Sequence, residues 1–198
     1  MKKLLFILAF ILPTLVFGYI YTGTTGDCKW EFDTSIGLLK IFGNGAMCNY
    51  NPWSHPWAKY KRYGILVKRL VIKEGVTHIG NHAFENLRDL KSVKIPNSVS
   101  SIGEQAFSEC TSLTTLTIPS NVSQIGYYAF DCGSGLTSVY YNRIVPGKLL
   151  LQYDGKYGAS QKQSNPFGYY GAPDCILYVP DGARENFINE GWGEYFPK

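Results

Sequence analysis

Apolar positions recur with a fixed period of 23 residues between Ile72 and Tyr140. Ile72, Ile95 and Ile118 open three successive copies. Val76, Val99 and Val122 follow, then Ile79, Ile102 and Ile125, each trailed by a glycine (Gly80, Gly103, Gly126). The pairs Ala83-Phe84, Ala106-Phe107 and Ala129-Phe130 come next, then Leu90, Leu113 and Leu136. Val93, Leu116 and Val139 close the set. A period of this size marks coils stacked into a solenoid, each burying its apolar face against its neighbours. Within a copy, Leu90-x-x-Val93-x-Ile95 and Val99-x-x-Ile102 read as two short strands. Pro96-Asn97 turns the chain between them, because proline cannot donate within a ladder. Glu104-Gln105-Ala106-Phe107 predicts a single helical or 3₁₀ turn with Ala106 and Phe107 pointing inward. Val67 and Leu70 fit the end of an earlier, partial copy.

The flanks lack this period. Cys28 to Phe32 alternates, with Trp30 and Phe32 on one side, and Leu38 to Phe42 forms a second strand candidate. The turn residues Asp33 to Gly37 between them predict a β-hairpin that covers the open N-terminal end of the stack. Residues 51–63 are rich in Trp, Tyr and cations. Trp57 is the better candidate for a plug against the first repeat and Trp53 for an exposed ring. After Tyr141 the register is lost through a polar, glycine-containing stretch that reads as an inserted loop, and it returns at Phe167. Counted from that phenylalanine, Ile176 takes the place of Val139 and Tyr178 that of Tyr141, with the last strand over Cys175 to Val179. Ala183 to Asn189 has helical character, and Phe187 and Trp192 are candidates to plug the C-terminal end.

The expected fold class is mostly β with short helical turns, a solenoid of about 23-residue repeats with a β-hairpin N-terminal cap and a short C-terminal cap. The expected segments are 1–18 as a signal peptide, 19–64 as the N-terminal β cap and 65–141 as repeats. Residues 142–166 form the inserted loop, and 167–198 a degenerate last repeat with the C-terminal cap. The signal peptide is read from Lys2 and Lys3, the apolar run Leu4 to Phe17, and Val16 and Gly18 before the cleavage point. That run is short of the roughly 20 residues a membrane span needs, and Pro13 interrupts it. The expected localisation is therefore secreted or cell surface, with no membrane span after cleavage.

Charge narrows the partners. Without Lys2 and Lys3 the chain carries 17 basic and 15 acidic residues, too even a balance to point to nucleic acid. Five cysteines in an exported chain leave at least one thiol free or paired between molecules. Cys28 and Cys48 flank the hairpin and stand either as a disulfide or as separate thiols. Cys110 and Cys132 read as buried thiols, with a bridge between adjacent coils as the alternative. Asn121-Val122-Ser123 is a candidate N-glycosylation sequon.

The second copy carries Ile95, Pro96, Val99, Ile102, Gly103, Ala106, Phe107, Cys110, Leu113 and Leu116. That pattern resembles the BspA-type leucine-rich repeat, found in surface and secreted proteins of bacteria and some protists. The first copy departs from it at Lys73 and Leu87, and the third has Cys132 one residue early. Gly23 to Asp27 with Trp30, Gly43 to Met47 and Pro56-Trp57 resemble the family's N-terminal cap. Tyr178-Val179-Pro180 and Gly191-Trp192 resemble its C-terminal end. The resemblance implies a leucine-rich-repeat solenoid and a role in adhesion or protein binding, with no catalytic motif and no cofactor.

The outward residues of the first strand in each copy form two columns. One is Arg69, Ser92, Thr115 and Ser138, and the other is Val71, Lys94, Thr117 and Tyr140, with Cys175 and Leu177 expected to continue them. These are the candidate protein-binding face, for an extracellular or host-surface partner. The alternative is carbohydrate binding on Trp53, Trp57, Tyr60 and Tyr63 as stacking platforms. His78 and His82 sit four apart with Glu85 nearby. Their counterparts in the other copies are Ser, Gln and Tyr, so they read as solvent-facing positions rather than metal ligands. No G-x-S-x-G, Walker loop or H-E-x-x-H is present, and no enzyme is expected.

Overall fold

The computed structural model describes residues 18–64, 66–146, 148–149, 166–168, 174–192 and 196; of residues 62, 63, 148 and 149 only the backbone is described. The expected signal peptide and most of the expected inserted loop lie outside these residues. In chain order the strands begin with β1 (Ile20–Thr25), β2 (Cys28–Asp33), β3 (Leu38–Gly43) and β4 (Gly45–Ala46). They continue with β5 (Arg69–Ile72), β6 (Val76–Ile79), β7 (Ser92–Lys94), β8 (Ser101–Ile102) and β9 (Thr115–Ile118). The last are β10 (Gln124–Ile125), β11 (Ser138–Tyr141), β12 (Lys148–Leu149) and β13 (Ile176–Tyr178). One short helix, α1 (Arg184–Asn189), follows.

Strands β1, β2 and β3 form an antiparallel meander. β3 then pairs in parallel with β5, placing Leu39 beside Leu70 and Ile41 beside Ile72. β5 pairs with β7, which lies beside β9, and β9, β11 and β13 pair in parallel. The even strands β4, β6, β8, β10 and β12 make a second parallel sheet. Partners such as Arg69 and Ser92, or Ser101 and Gln124, are 23 residues apart, so the sequence period is also the structural one. The strand at Lys148–Leu149 carries the second sheet into the stretch read as an inserted loop.

The core sits between the two sheets and a turn-rich third side. Val76, Val99 and Val122, with Ile79, Ile102 and Ile125, are buried in rows. The repeat phenylalanines stack: Phe84 on Phe107 at 5.2 Å, Phe107 on Phe130 at 5.6 Å and Phe130 on Phe167 at 5.9 Å between ring centroids. Trp57 extends this row at 5.3 Å from Phe84, in the place a phenylalanine would hold in one more coil. At the other end Phe187 and Trp192 pack on Tyr141 at 5.6 and 5.4 Å.

The third side differs from the helical turn expected at Glu104 to Phe107. The N–H groups of Gln105, Phe107 and Glu109 donate to the carbonyls of Tyr127, Ala129 and Asp131 in the next coil, each at 2.8 Å. His82, Phe84 and Asn86 make the same bonds to Glu104, Ala106 and Ser108. Left-handed φ values at His82 (52°), Gln105 (49°) and Tyr128 (51°) accompany this ribbon, as do Asn86 and Glu109. Coils are therefore hydrogen-bonded to one another on all three sides, which satisfies backbone groups a buried turn would leave bare. The repeat glycine has an ordinary φ but no room: a Cβ on Gly103 would lie 2.6 Å from Asn81 N. Close approach of the preceding coil, rather than backbone freedom, requires it.

Candidate functional site

Alternation along the odd strands turns every second side chain outward. Register then stacks those side chains into columns. Arg69 lies beside Leu38 on one side and Ser92 on the other, and Val71 lies between Lys40 and Lys94. In the second half of the sheet Ser138 lies between Thr115 and Ile176, and Tyr140 between Thr117 and Tyr178. The antiparallel cap strands continue both columns, through Asp33 and Ile20 in one and Glu31 and Thr22 in the other. Arg69, Ser92, Lys94, Thr115, Thr117 and Tyr140 are exposed, and Val71 and Ser138 are half-buried.

Cys175 and Leu177 do not continue the columns. Leu177 pairs with Val139 and packs toward the core, Cys175 is buried, and the outward residues are Ile176 and Tyr178. The cause is one extra residue between Phe167 and the last strand, since Leu177 follows its phenylalanine by ten positions and Val139 by nine. Counting from the phenylalanine alone misses that insertion. Tyr178 stacks on Tyr140 with centroids 4.5 Å apart and rings 9° from parallel.

Electrostatics along this face is uneven. Glu31 is neutralised by Lys40 at 2.7 Å. Asp33 accepts hydrogen bonds from the Ser35 hydroxyl and N–H, which lower its carboxyl pKa. Among the described residues Arg69 and Lys94 make no ion pair.

The aromatic segment is organised differently from a stacking platform. Trp57 is 1% exposed and Tyr60 6%, packed on Phe84 in one case and on Phe32 and Tyr21 in the other. The Tyr63 side chain lies outside the described residues. Trp53 alone of the three described rings is open, at 65% exposure. It sits at a left-handed φ of 57°, held by its N–H donating to Glu85 Oε2 at 3.2 Å. A row of rings offering their faces to sugar does not form here, because the core needs Trp57 and Tyr60 to close its N-terminal end. A groove of about 750 Å³ runs beside Trp53, lined also by Lys59, Lys61, Glu85, Asn86 and Leu87.

Glu85 joins this segment to the first coil. Its Oε2 also meets His82 Nδ1 at 3.1 Å, and its carbonyl accepts from His55 Nε2 at 3.1 Å. His55 is buried and stacked on Trp57, and burial pushes its pKa down to about 4. Because the Glu85 carbonyl can only accept, the neutral ring carries its proton on Nε2. His82, expected to face solvent, is 9% exposed because the ribbon folds it back onto Glu85. His78 turns elsewhere, with Nδ1 against Ser101 Oγ at 2.8 Å.

All five cysteines are free thiols. Of the two alternatives for Cys28 and Cys48, the structure has separate thiols: Cys28 is buried with its thiol directed to Gly45 O, while Cys48 is exposed. Cys110 donates to Phe84 O at 3.3 Å and Cys132 to Phe107 O at 3.5 Å, each reaching back to the preceding coil. Burial raises both thiol pKa values, that of Cys132 to about 12. The Asn121 side-chain amide donates to Asn97 O at 2.7 Å.

Residues 60–145 match the family model of the BspA type leucine rich repeat region, in six copies. This stretch is a BspA-type leucine-rich-repeat region. No curated protein matches the chain. In fold it is similar to a leucine-rich repeat protein from Eubacterium ventriosum, with 18% identity, a TM-score of 0.55, and coverage of 84% of this chain and 45% of that one. A leucine-rich repeat protein from Bacteroides capillosus matches with 18% identity and a TM-score of 0.43, covering 61% of this chain and 97% of that one. The pneumococcal vaccine antigen PcpA matches with 18% identity and a TM-score of 0.47, covering 76% of this chain and 43% of that one. The chain thus spans less than half the length of the first and third of these proteins. The BspA-type region supplies the stacked strands on which the outward columns stand. Among the described residues no helix is long and apolar enough to cross a membrane.

Proposed function

We propose that this chain is a secreted or cell-surface leucine-rich-repeat protein that binds an extracellular or host protein on its odd-strand face, in adhesion or recognition. On this reading residues 19–64 and 167–198 close a solenoid whose repeats are the frame, after a signal peptide over 1–18 has been removed. The observation that carries the reading is the contrast along one strand. Inward positions repeat the same chemistry from coil to coil, while the outward column runs Val71, Lys94, Thr117, Tyr140. Arg and Tyr are the residue types that most often dominate binding energy at protein interfaces, and here they stand exposed on a rigid sheet. The leucine-rich-repeat family, whose members generally bind proteins, supports the same class of partner.

The test is an array of extracellular-matrix and host-surface proteins probed with the wild type and with the double variant Arg69→Glu, Lys94→Glu. Binding is expected to fall at least tenfold in the variant, about 1.4 kcal/mol. Undiminished binding would remove the assignment of this face. A glycan array in parallel guards against the other chemistry: sugar binding abolished by Trp53→Ala, with the columns dispensable, would replace a protein partner by a carbohydrate.

A further inference from the structure

The odd-strand face has two ends of different character. Toward the middle, Arg69 and Lys94 are exposed and stand beside Lys68 and Lys91, which are exposed too. None of these four makes an ion pair among the described residues; of the carboxylates in the same columns, Glu31 is paired with Lys40, while Asp33, hydrogen-bonded by Ser35, keeps its charge at the cap end, two strands from Arg69. The middle of the face, around Arg69 and Lys94, is therefore net positive. Toward β13 the charge disappears and large apolar side chains take over. Tyr140 is 38% exposed, Tyr178 43% and Ile176 45%, and the two phenol rings lie flat on one another. A stacked, half-open tyrosine pair beside an open isoleucine is a surface that gains from being covered.

Resting on the proposal that this face binds protein, we infer that its partner presents an extended segment with an acidic side chain and a bulky aromatic or aliphatic side chain four to six residues apart. The spacing follows from the sheet. Neighbouring strands lie about 4.8 Å apart and residues about 3.3 Å apart along a strand, so Lys94 and Tyr178, three strands removed in one column, are separated by about 14 Å, and Arg69, four strands removed and two residues along, by about 20 Å. A chain crossing the strands in extended form advances about 3.3 Å per residue, which gives four to six residues between the two contacts. The acidic group meets Lys94 or Arg69. The apolar group lies on Tyr140, Tyr178 and Ile176. Thr117 and Thr115, between them, offer short hydroxyls over which a backbone can pass closely.

A random peptide library displayed on phage and panned on the full chain tests this. Enriched peptides should carry Asp or Glu four to six residues from Phe, Tyr, Trp, Leu or Ile. A synthetic consensus peptide should bind Lys94→Glu at least tenfold more weakly than wild type, and likewise Tyr140→Ser with Tyr178→Ser. Unfolding midpoints of these variants near the wild-type value would show that the fold is retained. Peptides that lose binding in the variants but lack the acidic and apolar pairing would overturn the inference and leave the face assignment standing. Peptides that bind the variants as well as the wild type would overturn both. A library yielding no face-dependent peptide would overturn the inference.

Discussion

Val93, Leu116, Val139 and Leu177 are each one residue away in sequence from Lys94, Thr117, Tyr140 and Tyr178. The first row packs on or within the core and keeps one chemistry through four coils; the second faces solvent and changes from ammonium to hydroxyl to stacked phenols. The same backbone ladder holds both rows at the same spacing. What separates them is only the side of the sheet. An inward residue must match two neighbouring coils at close-packed density, so change there is costly. An outward residue has to satisfy water and whatever binds, so chemistry can vary from coil to coil without loss of fold. The two rows therefore divide the molecule into a frame and a face.

Removing a ring from the frame gives the largest expected effect. Phe107 is fully buried between Phe84 and Phe130. Phe107→Ala should cost about 3–5 kcal/mol in chemical denaturation, whereas Tyr140→Ala on the face, which loses its stacking on Tyr178, should cost only about 0.5–1.5 kcal/mol. Equal losses would erase the distinction.

Acid should act on the frame next. His55 titrates near 4 in the folded chain, against about 6.5 unfolded. Since the unfolded chain takes up the proton first, the stability this histidine confers is complete above pH 6.5 and declines as pH falls toward 4. The loss is on the order of 2–3 kcal/mol. His55→Gln, which keeps a donor for Glu85 O, should flatten the unfolding midpoint across that window. A wild-type slope persisting in the variant would assign the acid sensitivity to other groups.

Gly103→Ala comes third. Its φ is permissible for alanine, but the added Cβ lies 2.6 Å from Asn81 N. A loss of about 1–3 kcal/mol is expected from the forced separation of two coils. A neutral or stabilising result would mean that the coils can slide apart at no cost.

Much of the frame was legible because burial imposes period. The spacing of Val99, Ile102, Phe107, Leu113 and Leu116 leaves few ways to hide all five side chains except by stacking copies. The turn ribbon was not legible. Glu104 to Phe107 has helical propensity, but propensity is local, and the N–H groups of Gln105 and Phe107 find acceptors in the next coil, at Tyr127 and Ala129. Strand β1 was missed because Gly23 interrupts an otherwise weak alternation; that gap is where the Trp30 ring lies, within 2.7 Å of any Cβ placed there. Cys132 is displaced by one residue in sequence, yet its thiol finds the same kind of acceptor as that of Cys110, since the turn before it is one residue tighter. On the face, Arg69, Ser92, Lys94 and Tyr140 were identifiable from alternation alone. Ile176 and Tyr178 were not, because the extra residue after Phe167 cannot be assigned to turn or strand without the pairing of Leu177 to Val139. Trp57 was the expected plug and Trp53 the expected exposed ring, and the phenylalanine row gives the physical reason, since it needs one last ring at the N-terminal end.

The division into frame and face is tested most directly by measuring two quantities on the one variant that changes only the face. Arg69→Glu with Lys94→Glu should leave the denaturant midpoint within about 0.5 kcal/mol of wild type, while binding to an array-identified extracellular protein falls tenfold or more. Binding that survives the double reversal, or a fold that collapses with it, would contradict the account.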